Sequence, residues 1–408
     1  MKRWSLVLFN LLILTSAVLA QEINFYGYIK TDMYYDSRQT GNGALREGQF
    51  LLWPLPYSPD AKGGDLNAKP NYNMLSIQSR LDVGLKGPDA LGAQISGLIE
   101  GEFFGTSDAD VNGFRLRHAY VNMDWGSTVL MVGQFWHPMF VVDVYPMVVS
   151  FNTGAPFQPF SRNPQIRVTQ RFGDLNLIGT LASQRDFSSF GPAGGSSTYL
   201  RNAVIPDADL QVQWKSNEII AGVGVDYKSL LPKLTTTSGL STNNEIHSLA
   251  GIGYFKYKTP DWSVAAEAVY GGNLADFLML GGYATRSQNA LSGDDYSNIN
   301  VSSVWFDFSC GREWQPGIFI GWTKNQGSNY NVLVNQTLST FYQRVNNIGD
   351  ITRISPRLIF NPGKVRLALE LEFTNADYGT VNEKAEVVNT HPVTNTRVLG
   401  AVYYFFGS

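Results

Sequence analysis

Arginines spaced two residues apart have the most direct chemistry to offer in this chain. Arg115 and Arg117 stand in "GFRLRHAY", and Arg80, Arg167, Arg171, Arg353, Arg357 and Arg366 occupy comparable positions elsewhere. Residues i and i+2 of an extended chain point to the same side. A row of guanidinium groups along a narrow, low-dielectric passage attracts anions and replaces part of their hydration. Acids share the same side, namely Asp82, Glu100, Glu102, Asp209, Glu267, Glu370 and Glu372. The same arginines can therefore form cross-strand ion pairs that only stiffen a wall. Both readings stand at this point.

Other chemistry is thinly represented. His118, His137, His247 and His391 are isolated in sequence, with no HxxxH or HExxH, so no metal site is expected. No serine sits in a nucleophile elbow, so no catalytic residue, no cofactor and no enzymatic activity are expected. "GVG" at Gly222–Gly224 and "GIG" at Gly251–Gly253 lie in extended segments, where they serve packing rather than phosphate binding. "SGDDYSN", with Asp294 and Asp295, offers carboxylates for an outer calcium ion, but a solvated loop is the better reading. Cys310, the only cysteine, excludes an intrachain disulfide and reads as an inert buried thiol.

The elements that carry these residues alternate with period two. In "KVRLALELEFT", Val365, Leu367, Leu369, Leu371 and Phe373 are apolar, whereas Lys364, Arg366, Glu370 and Glu372 are charged. One face of such a strand meets oil and the other meets water. Similar segments fall near 25–36, 73–85, 93–104, 113–124, 128–136, 164–172, 175–186, 206–215, 218–228, 245–257, 261–271, 300–309, 314–324, 350–360, 364–374 and 395–406. Most are about ten residues long, enough for a tilted strand to cross a bilayer. Their connections alternate between long and short. The short ones use turn residues, such as Gly173-Asp174 and Asn361-Pro362-Gly363. The long ones include 37–72, 137–163, 272–299, 325–349 and 375–394. Trp214, Trp262 and Trp314 mark strand ends beside short turns, and Tyr35, Tyr270 and Trp322 mark the opposite ends. Such rings match the aromatic girdles of membrane barrels. The expected fold is all-β, a transmembrane antiparallel β-barrel of about sixteen strands over residues 21–408, with long outer loops and short periplasmic turns.

The beginning of the chain gives the compartment. Lys2 and Arg3 precede an apolar run, and Val18-Leu19-Ala20 forms a small-residue cleavage site, so residues 1–20 read as a signal peptide. Removing Lys2 and Arg3 from 31 basic residues leaves 29 against 34 acidic ones, which argues against nucleic acid as a partner. Charged residues make up only 16% and aromatics 13%, a balance suited to a wall that faces lipid. The expected location is the bacterial outer membrane.

Loop 137–163, "HPMFVVDVYPMVVSFNTGAPFQPFSRN", is too apolar for a solvated surface loop. It must pack against a neighbouring subunit or fold inward and narrow the barrel. "LIEGEFFG", "FRLRHAYV", "VGQFW" and "RNPQIRVTQRF", in this order within residues 98–172, resemble the corresponding stretches of the DcaP-like porins. The resemblance implies a homotrimeric channel for small organic anions, dicarboxylates included, with Arg115, Arg117 and Arg167 facing the pore. It departs from that family in one respect, because Gln21–Asn24 leads directly into a strand with no helical segment before it.

The sequence thus predicts an anion-selective porin that passes small polar solutes by passive diffusion. Arg80, Glu102, Arg115, Arg117, Asp143, Arg167, Arg171, Arg353 and Arg357 line its pore, with Asp143 of the loop opposing the arginines. The alternative is a closed barrel that serves as a surface-binding or assembly component.

Overall fold

Strand β15 (Val365–Val381) shows why this sequence closes into a barrel rather than a sandwich. Its apolar residues Leu367, Leu369 and Phe373 are 43%, 49% and 47% exposed, while Glu370, Glu372 and Thr374 are at most 2% exposed. A water-soluble sheet buries the apolar set instead. Here the burial is inverted, so the outer surface is the one that needs oil.

The computed structural model describes residues 22–41, 45–334 and 340–407. The expected signal peptide, residues 1–20, lies outside them. The remaining barrel strands are β1 (Glu22–Asp36), β2 (Arg80–Lys86), β3 (Gln94–Glu102), β4 (Arg115–Asp124), β5 (Thr128–Trp136), β6 (Arg162–Phe172), β7 (Leu175–Ala182) and β8 (Asp207–Lys215). They continue with β9 (Ile219–Leu230), β10 (Ile246–Lys258), β11 (Trp262–Gly272), β12 (Gly293–Cys310), β13 (Trp314–Gly327), β14 (Ile348–Phe360) and β16 (Val387–Phe406). Each pairs antiparallel with the next, and β16 pairs back onto β1, from Gly27 opposite Phe406 to Asp36 opposite Arg397. The sixteen-stranded sheet has no free edge.

The short connections fold as their residues dictate. Gly173 adopts φ +63° in the two-residue turn joining β6 to β7, the left-handed conformation that a primed hairpin turn needs at its first position. Trp214, Trp262 and Trp314 stand outward beside these turns, 48%, 40% and 55% exposed.

The long-loop end departs from expectation. Segment 375–394 is not a loop: β15 and β16 extend through it and meet at a tight connection over 382–386. His391, expected in a loop, lies in β16 opposite Tyr378. Likewise Asp294 and Asp295 belong to β12, where Lys233 Nζ reaches Asp294 and Ser287 Oγ donates to Asp295. Beyond the bilayer both faces of a strand meet water or protein, so the alternation fades while backbone pairing continues. Cys310 is half-buried at the end of β12 rather than buried.

The interior holds a second, apolar core. Phe50 ends a short helix (Leu45–Phe50) and Leu51 follows it, and both pack with Trp53, Phe104, Phe151, Phe157 and Phe160. Leu274, Phe277, Leu278, Met279 and Leu280, from the connection after β11, join the same cluster. Loops from three parts of the chain therefore bury their apolar side chains inside the barrel.

Candidate functional site

The register of β4 determines which of its side chains enter the barrel. Glu100 of β3 pairs with His118, but Gly101 pairs with Leu116, so Arg117 is an extra residue on β4. A β-bulge of this kind places two consecutive residues opposite one and shifts the alternation by one step. Arg115 and Arg117 point inward and Leu116 points outward, while from His118 onward the even positions face inward. Strict alternation from Arg115 predicts that His118 turns away from the arginines, and the bulge corrects that expectation by turning it inward. It is 2% exposed, with Nε2 3.8 Å from Glu100 Oε1.

Around this bulge the charges converge. Glu102, fully buried, receives Arg115 Nη2 at 2.8 Å and Arg117 Nη1 at 2.6 Å, with Arg80 Nε at 3.4 Å and Arg162 Nη1 at 3.5 Å. Arg117 Nε also donates to Glu100 Oε1. Asp186, beyond the end of β7, binds Arg115 at 2.8 Å and Arg162 at 2.6 Å. Burial pushes the Asp186 carboxyl up, but the Arg162 and Arg115 guanidinium groups outweigh it and hold the group below the usual carboxylate range. Arg162 and Asp186 escaped the sequence reading because Arg162 precedes segment 164–172 and Asp186 is the last residue of segment 175–186, beyond the part that pairs as a strand. Arg80, Glu102, Arg115 and Arg117 meet in one network whose arginines are directed at carboxylates.

Arg353 and Arg357 of β14 lie elsewhere on the wall. Arg353 donates to Thr374 Oγ1, Ala155 O and Leu51 O at 2.8–3.0 Å, so it links the wall to two inward loops. Arg357 forms a bidentate pair with Asp307, at 2.7 and 2.9 Å.

Loop 137–163 runs across the interior, held by inward-facing groups. Val149 N and Ser150 N donate to Glu370 at 2.7 and 3.1 Å, and Ser303 Oγ donates to Phe157 O at 2.7 Å. Phe160 N donates to Phe277 O at 2.9 Å. Without these partners the buried peptide groups would cost about 1–3 kcal/mol each.

Below the loop, toward the short turns, a cavity of about 600 Å³ opens. Arg167, Arg171, Lys215, Asp143 and Asp174 line it. Asp143 forms an ion pair with Lys215, at 2.7 Å, rather than with an arginine. Arg171 pairs with Asp124 at 3.1 Å. Arg167 donates only to neutral oxygens, Gln165 Oε1 at 3.1 Å and Trp136 O at 2.7 Å. It is the cation of this cavity whose charge no described carboxylate meets at ion-pair distance.

The histidines are not all isolated in space. His137, at the start of the inward loop, is fully buried with Nε2 3.7 Å from Asp207 Oδ1 and 3.6 Å from Asp226 Oδ1. No sequence spacing announces this triad, since the three residues come from a loop, β8 and β9.

No family model matches the chain, and no curated protein matches it. Solved structures do. The outer membrane channel DcaP of Acinetobacter baumannii is 15% identical, over 95% of this chain and 98% of that chain, with a TM-score of 0.67. An anion-selective porin from Comamonas acidovorans is 13% identical over 95% of this chain and 100% of that chain, with a TM-score of 0.54. The outer-membrane expressed OmpT of Vibrio cholerae is 11% identical over 95% and 98%, also at 0.54. Likeness at such identities speaks to architecture and not to activity. The chain has the closed sixteen-stranded fold of the DcaP-like outer-membrane porins.

Proposed function

We propose that this protein is an outer-membrane porin through which small polar, mainly anionic, solutes diffuse passively. The observation that carries the reading is Arg167, a guanidinium with no carboxylate partner among the described residues, on the wall of the 600 Å³ cavity beneath the inward loop. An anion entering that cavity meets Arg167, Arg171 and Lys215 against Asp143 and Asp174. The low-dielectric wall strengthens that field. In this reading Arg80, Glu102, Arg115, Arg117, Arg353 and Arg357 also face the passage, but they hold its shape through their ion pairs and hydrogen bonds. Loop 137–163 is the constriction. A homotrimer is part of the proposal, as OmpT of Vibrio cholerae has been solved in a trimer form. Lipid covers the apolar outer face, and residues 1–20 direct export.

Purified, folded protein in a planar bilayer is expected to give open-channel current. In a salt gradient its reversal potential is expected to show anion preference. Arg167→Ala combined with Lys215→Ala is expected to move that potential toward cation preference. Current without such a move would overturn the role given to the cavity. The absence of any current would instead favour the closed-barrel reading, which the apolar packing of three loops inside the barrel supports.

A further inference from the structure

We propose that His137, Asp207 and Asp226 form a site for a first-row divalent cation that fastens the start of the inward loop to the barrel wall. The three side chains are at most 1% exposed. His137 Nε2, both Asp207 oxygens and Asp226 Oδ1 make no hydrogen bond among the described residues. Buried polar atoms of this kind require a partner. These converge: one donor atom from each residue lies within 4.8 Å of the others. A cation such as zinc, with bonds of about 2.0–2.2 Å to imidazole nitrogen and carboxylate oxygen, holds its donors about 3–4 Å apart. The observed 3.6 and 3.7 Å separations from Nε2 fit that spacing.

The surrounding charge agrees. Asp209 lies two residues from Asp207 on the inward face of β8, and Asp276 approaches from the loop after β11. Lys228 pairs with Asp276 at 2.5 Å. Arg167 and Asp209 both stand opposite Thr180 of β7. Four carboxylates against Lys228 and Arg167 leave two negative charges beside a neutral imidazole, which a divalent cation balances. One nitrogen and two carboxylates favour a zinc-like ion over calcium, which takes six to eight oxygens. Nδ1 of His137 accepts from Met139 N at 3.3 Å, and this contact is the interaction that cation binding displaces, because binding at Nε2 moves the proton to Nδ1.

The site joins His137 to two strands far along the chain, so its occupancy fixes the first turn of the loop. The proposal depends on the fold and not on conduction, and its test reads binding. Folded protein is stripped with a chelator, then titrated with zinc in chelator-free buffer. The expected result is one zinc per chain and a raised melting temperature. Asp207→Asn, Asp226→Asn and His137→Ala are each expected to lose both effects, whereas His247→Ala keeps them. Cobalt in place of zinc is expected to give a visible spectrum of mixed nitrogen and oxygen ligation, lost in the same variants. Wild-type protein that takes up no zinc would overturn the proposal, leaving water or a proton among these groups. So would uptake that Asp207→Asn and Asp226→Asn leave intact.

Discussion

Asp186 shows how a single residue carries the behaviour of the charged network. It lies outside the barrel strands, yet Arg162 and Arg115 hold its carboxyl below the ordinary range in the folded chain against the opposing effect of burial. In the unfolded chain it titrates near about 3.9. The folded state therefore binds the proton less readily. The stability this provides is fully present above the unfolded value and is lost as pH falls through the folded one. Denaturant unfolding of the protein and of Asp186→Asn checks this. The stability gap between them is expected to be wide at pH 5 and to narrow steadily below about pH 4. A gap independent of pH would show that Asp186 contributes no charge-dependent stability. At this scale the sequence identified the inward charged types of residue and left open whether Arg115 and Arg117 pair with acids such as Glu100 and Glu102, as they do; it did not reveal Asp186 or Arg162 as partners. Arg115 and Arg117 were legible as inward-facing, whereas His118 was misplaced because one bulge at Arg117 shifts every position after it.

Among the elements, the inward loop depends on small residues in the wall behind it. A Cβ on Gly321 of β13 would lie 2.5 Å from the Phe157 ring, itself fully buried and unable to swing away. Gly321→Val is expected to destabilise the protein by about 1–3 kcal/mol through overpacking. It should also displace the loop, seen as altered single-channel conductance. Gly179 of β7 is the control, since a Cβ there meets nothing within 4 Å, and Gly179→Ala is expected to be near neutral. Equal effects at the two positions would contradict the packing account. The apolar composition of residues 137–163 signalled that the loop must be buried. It left the place open, between a neighbouring subunit and the lumen. "LADFLML" at 274–280 carries the same apolar signal, and its inward position was missed although the run is as unfit for water.

For the whole molecule, the inverted burial sets the solvent. Leu369 stands near the middle of the alternating part of β15 and is 49% exposed on the outer face. Leu369→Arg would place a charge in the hydrocarbon, at a cost of about 2–4 kcal/mol if it lies near the midplane. Folding into lipid vesicles, followed by heat-dependent gel mobility, is expected to show a reduced folded fraction. An unchanged fraction would mean that this face does not contact lipid.

The sequence by itself determined the sixteen strands, the side on which the turns are short and the outward face of the strands wherever no bulge shifts the alternation, as one does in β4. Those features are written locally, because a strand between oil and water must alternate at every second residue. Only the tertiary structure decided what the interior does with its charges. Glu370 meets Val149 across 221 positions of sequence, and His137 meets Asp207 and Asp226 from two later strands. Contacts of that range leave no period in the chain; they exist because barrel closure brings distant strands and inward loops into one small volume.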